Sequence, residues 1–210
     1  YESVVDFNIL YIHPQTEPQK EILYNLFMSA GLSERLKNWD ENMRSKYPER
    51  AQQEEKDIQD CKNAIEANGL WGSLSAHTKM VINNAINARK FRYQFNNQNE
   101  LVPVKWEMAY ELLRVKKDLY EPIYSFFSLH SHPSYLALIQ FRDAFAPDVR
   151  QDLQMAIHST QYILSFMSIF IVDYMTLFPK VKEKFNELDL PMQFAIGMYE
   201  DVMRGENKYK

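Results

Sequence analysis

Residues 162–178 read YILSFMSIFIVDYMTLF, and the reading of this stretch decides the fold. It is 17 residues long, the lower limit for a helix that crosses a bilayer. Its polar groups are not scattered. At a helical period of about 100° per residue, Gln161, Ser165, Ser168, Asp173 and Thr176 fall on one broad face, and His158 joins them. A lipid-facing helix has no use for such a stripe unless it packs on other spans, and the sequence offers no second span. The stretch therefore reads as the central, water-excluded helix of an all-α bundle, its polar stripe turned toward neighbouring helices or a cavity. Asp173 in that setting is paired, for instance with an Arg or His, or carries a shifted pKa.

Composition agrees with a helical reading. Five glycines stand against ten methionines and thirteen each of Phe and Tyr in 210 residues, too few reversal residues for a many-turned β fold. The net charge of −4 gives no electrostatic reason for nucleic acid to be the main partner. A single cysteine, Cys61, excludes an internal disulfide, and no secretory signal is visible. Both fit a cytoplasmic protein. The chain starts at Tyr1 rather than Met and at once in apolar sequence, so residues are expected to precede it.

Working back along the chain, SVVDFNILYI (3–12) reads as the end of a helix stopped by His13-Pro14. Thr16 caps a helix expected to run to Ala30 and stop at Gly31, and Ser33 reads as the cap of the next. Pro48 opens a charged segment with a narrow apolar seam at Ala51, Ile58, Cys61, Ala64 and Ile65. With the helix before it, this makes a peripheral acidic helical hairpin over about 34–69, set on a single helical domain that spans 1–210. Ser73 or Ser75 caps a helix over about 76–95, and residues 96–103 read as a loop. A long helical pattern follows, VKWEMAYELLRVKKDLYEPIYSFFSLHS, with Pro122 as its break. The last helix follows Pro191.

Candidate chemistry centres on YSFFSLHSHPSY (124–135), where Tyr124, Ser128 and His132 share a helical face and Ser134 lies nearby. Pro133 biases His132 toward an extended backbone, at a helix end where a small molecule or anion can sit. The functional reading makes His132 a proton donor or acceptor; the bland one closes a buried hydrogen-bond network. Arg89, Lys90 and Arg92, interleaved with Phe91, Tyr93 and Phe95, form a strip of the kind that contacts nucleic acid, or a set of cations matched to a helix end. No Gly-rich phosphate loop, no Glu-x-x-His and no Gly-x-Ser-x-Gly elbow occurs, so no cofactor and no metal is expected.

The order of VVDFNILYIHP, a helix ending ERLK, an acidic insertion and a late helix with Tyr124, Ser128, His132 and Ser134 resembles an uncharacterised family of bacterial helical proteins, a domain of unknown function. The resemblance implies an intracellular bacterial protein and a site where the early acid Asp6 meets His132, with an Arg of the first helix lying before Tyr1. It carries no activity. The Arg-x(4–6)-His signature of helical nuclease toxins is missing: seven residues separate Arg150 from His158, and fifteen separate Arg114 from His130.

These readings lead to a non-enzymatic module that binds a protein partner or small ligand at a polar site inside the bundle, formed by Asp6, Tyr124, Ser128, His132, Ser134 and Asp173. A second copy of the chain is among the partners this allows, and no membrane is expected. The alternative is a hydrolase or nuclease of a bacterial defence or toxin system, with His132 as acid/base and Arg89 and Arg92 on phosphate.

Overall fold

The structure is a computed structural model and describes residues 1–131, 138–139, 142 and 151–209. The protein is all-α. Ten α-helices lie among the described residues: α1 (Glu2–Phe7), α2 (Glu17–Lys37), α3 (Glu41–Lys46), α4 (Pro48–Ala67), α5 (Ala76–Asn87), α6 (Ala109–Leu113), α7 (Lys117–Ser131), α8 (Gln151–Leu177), α9 (Pro179–Asn186) and α10 (Leu190–Arg204). The chain divides into two compact units, one formed by Asp6–Val104 and the other by Tyr1–Val5 with Lys105–Lys210.

The first unit begins with a π-helical turn over Asn8–Ile12, closed by a bond from the His13 N–H to the Asn8 carbonyl at 2.9 Å. Thr16 caps α2 by accepting from the Gln19 N–H, and Pro18 occupies the first turn, where a missing N–H costs nothing. α4 runs antiparallel to α2. Asn68 at its end donates to the Pro18 carbonyl and to Glu21, while Glu54 meets Arg35 at 2.7 Å near the other end of α2. Ile22, Leu23 and Leu26 of α2 pack on Ile65 of α4 and on Ile82, Ala85 and Ile86 of α5, and Leu10, Leu74 and Leu101 complete that core.

Two local readings are corrected here. The helix does not end at Gly31. It continues to Lys37, because the turn beyond the glycine buries Leu36 and places Arg35 on Glu54, contacts worth more than the helix penalty of one glycine. Ser33 is accordingly inside α2, and Asp40 is the cap of the short α3. Second, α5 stops at Asn87, and Tyr93–Phe95 pairs antiparallel with Leu101–Pro103. The aromatic alternation of Phe91, Tyr93 and Phe95 is strand periodicity, which lays those rings on the core. Asn96 builds the turn, its side-chain oxygen accepting from the Gln98 and Glu100 N–H groups, and Asn99 adopts φ 57°. Gln19 of α2 donates to Asn99 at 2.8 Å and fixes the hairpin to the helix.

The second unit is built around α8, against which α10 and α9 pack. The long helical pattern before it breaks at Arg114, in left-handed conformation at φ 57°, and not at Pro122, which lies inside α7. An aromatic cluster sets α7 on α8: the Tyr1 ring lies 5.4 Å from Trp106, 6.2 Å from Phe127 and 5.7 Å from Phe166. The buried Tyr120 hydroxyl donates to the Trp106 carbonyl at 2.9 Å, and burial pushes its pKa well above the ordinary range. Gly205 ends α10 at φ 51°, where an added Cβ would stand 2.7 Å from Lys116 Cε.

Gly31 is exposed, helical and has open space around it. Gly31→Ala is expected to raise stability by about 0.5–1 kcal/mol, measured as a higher urea midpoint; a lower midpoint would contradict the helical account of this turn.

Candidate functional site

α8 turns part of its polar stripe inward, as expected, but leaves most of its apolar surface outside. Ser165, Ser168 and Asp173 are buried, together with Phe166 and Ile169, but the rest of its apolar surface is not. Leu153, Ile157, Leu164 and Met167 are 52%, 47%, 42% and 49% exposed. The water-excluded spine is thus only half realised: the polar stripe faces inward as read, and the greasy face looks outward. His158, Gln161 and Thr176, which share the polar face on a helical wheel, are exposed. Ser165 satisfies its hydroxyl on its own helix by donating to the Gln161 carbonyl at 2.8 Å.

The inward orientation follows from Asp173. Arg204, on the last turn of α10, donates from both terminal nitrogens to the two carboxylate oxygens at 2.8 Å. Its Nε donates to the Leu113 carbonyl at the end of α6, also at 2.8 Å. Both side chains are almost wholly buried, and Glu200 lies 3.6 Å from the same guanidinium. Lys208 approaches Glu200 at 3.7 Å and pairs with Asp201, whose hydrogen bond raises the Lys208 pKa. The expectation of a paired Asp173 therefore has a named partner, one that sequence reasoning did not find. The bidentate fork ties α6, α8 and α10 together. With both oxygens held this way, it is a strut and not an open acid.

The other candidates are spread out. Tyr124 and Ser128 are half-buried on α7, one turn apart, and Tyr124 stacks on Tyr120 with ring centroids 6.0 Å apart. His132 and Ser134 lie outside the described residues. Asp6 belongs to the first unit, where Arg92 donates to its two oxygens at 2.8 and 3.3 Å. Arg92 thus faces a carboxylate, whereas Arg89 and Lys90 are exposed. Among the described residues no three of His, Cys, Asp and Glu gather around a point that could hold a metal ion. Burial, reinforced by Asp57 and Asp60, pushes the Cys61 thiol pKa up, the wrong direction for a nucleophile.

One cavity of about 370 Å³ opens in the second unit between α7, α8 and α10, lined by Pro122, Ile123, Tyr162, Met198 and Met203. Beside it α8 carries Leu153, Ile157, Thr160, Leu164 and Met167 outward and Ile171 and Tyr174 half-buried, at alternating steps of four and three residues. This is the seam spacing of a coiled coil. The signal was present in the sequence and was overlooked because the same helix also carries the polar stripe. Leu153–Leu177 is long and apolar enough to cross a membrane, with only 22% of its most apolar window buried.

A family model matches residues 1–148. The chain belongs to DUF5677, a family of unknown function. No curated protein and no solved structure matches it. The part of this DUF5677 protein that matches contains the whole Asp6–Val104 unit, while α8, α9, α10 and the Asp173–Arg204 pair lie beyond the match.

Asp173→Leu or Arg204→Met alone should each cost about 3–5 kcal/mol, because either leaves a buried charge without its partner. The double change Asp173→Leu with Arg204→Met should recover much of that loss, measured by urea unfolding as a double-mutant cycle. Additive costs would deny the coupling. At about pH 8, near the ordinary thiol value, Cys61 should react with iodoacetamide more slowly than free cysteine, since a raised pKa keeps it protonated, and the gap should close as pH rises further.

Proposed function

We propose that this DUF5677 protein is a non-enzymatic binding module whose docking surface is the outward face of α8, and that its partner is a second copy of the chain. The observation that carries this is the outward apolar surface of α8: Leu153, Ile157, Leu164 and Met167 are exposed along a four-three spacing that the half-buried Ile171 and Tyr174 continue. Exposed side chains at that spacing fit between those of a facing helix as knobs into holes. No Asp, Glu, Lys or Arg occurs from Leu153 to Val172, so a second α8 can approach without desolvating a charge. A twofold arrangement sets the same stripe on both sides, which makes the two surfaces complementary without further design. A bilayer is the poorer occupant: Gln154, His158 and Gln161 are exposed on the same helix and would enter hydrocarbon with it.

The hydrolase alternative lacks comparable support. It places acid/base chemistry on His132, which lies outside the described residues, and of its two phosphate-binding arginines Arg92 is already engaged by Asp6.

Sedimentation equilibrium should find a dimer, and Leu164→Glu or Met167→Glu should give a monomer with unchanged helical circular dichroism. A wild-type monomer at all soluble concentrations would overturn the proposal. So would flotation with lipid vesicles that the same substitutions abolish, which would assign the face to a membrane.

A further inference from the structure

We infer that the Asp6–Val104 unit holds a binding site for a small phosphate ester of about mononucleotide size, in the cavity where α2, α3, α4 and the end of α5 meet. The site is independent of the α8 seam. Four cations line it, one from each surrounding element: Lys37, Arg44, Lys62 and Arg89. Two are answered by carboxylates. Lys37 lies 3.7 Å from Glu34, and Arg44 lies 3.3 Å from Glu55 while also donating to the Leu36 carbonyl. Among the described residues neither Lys62 nor Arg89 has a carboxylate partner. The cavity measures about 310 Å³ and has Ile58 and Ile86 in its wall. Ser33 and Asn87 add neutral hydrogen-bonding groups at its edge. Cations for phosphate beside an apolar wall for a flat ring is the donor set a nucleotide recruits.

Helix ends explain part of the positive charge, since the carbonyl ends of α2 and α5 both point here. They do not explain Arg89. α5 closes with the Lys90 N–H on the Ala85 carbonyl at 2.8 Å and the Arg89 N–H on the Ile86 carbonyl at 3.1 Å. This closure places Arg89 in left-handed conformation at φ 57°, which glycine adopts without the cost a side chain carries. Arg114 takes the same conformation at the end of α6, so what sets Arg89 apart is its place on the wall of a cationic cavity without an acid to meet it. The four cations surround one concavity instead of running along a surface track, and the chain carries a net charge of −4, so a small ligand fits better than a polynucleotide.

The test is calorimetric titration of the full chain at low salt with AMP, inorganic pyrophosphate and a single-stranded oligonucleotide as probes. AMP and pyrophosphate should bind, more weakly as potassium chloride is raised. R89G and K62Q should each weaken AMP binding roughly ten- to a hundredfold, the range for loss of a charged hydrogen bond. R89K should keep most of it. R89G separates binding from folding, because glycine relieves the left-handed position: its melting temperature should equal or exceed that of the wild type. Equal AMP affinity in wild type and R89G would overturn the site, as would no AMP binding at low salt. Binding of the oligonucleotide without AMP would overturn its assignment to a small ligand.

Discussion

The second unit depends on one buried ion pair. Asp173 and Arg204 are each costly to dehydrate, and only their bidentate geometry, with the Leu113 carbonyl taking the remaining Nε–H, makes the burial tolerable. Once α8 must aim Asp173 at α10, its rotation is set. Ser165, Ser168, Phe166 and Ile169 go inward with the acid, and the opposite side, the more apolar one, is left outside. The exposed seam is thus a consequence of where the charge has to be.

The first unit uses the same device more mildly. Glu54 is buried on α4 and is held between Arg35 of α2 and Arg50 one turn before it, so the antiparallel α2–α4 pair is registered by charge at one end and by Asn68 at the other. The apolar core between those two fasteners then joins α5 and the hairpin. Lys62 on α4 and Arg89 just past α5 reach the same cavity because this register holds α4 beside α5.

Features carried by adjacent residues were legible in the sequence. Thr16 and Ser75 each accept from the N–H three residues on, and Pro48 opens α4. The need for a partner to Asp173 was legible too. The partner was not, because Arg204 is 31 residues away and reaches the acid only through the packing of α10. Gly31 misled because a local breaker signal lost to tertiary contacts at Leu36 and Glu54. The short strands were hidden by their brevity, three residues each, directly after a helix. Of the site residues named from sequence, Asp6 and Asp173 are each matched to an arginine, and Tyr124 belongs to an aromatic stack.

The outward seam also bears on how the chain behaves while it is being made. The pairing proposed for this face and random clumping would draw on the same bare leucines and isoleucines, which makes the two rivals in time. The ion pair tilts that contest, because the closing of α10 on α8 fixes which side of the helix stays outside.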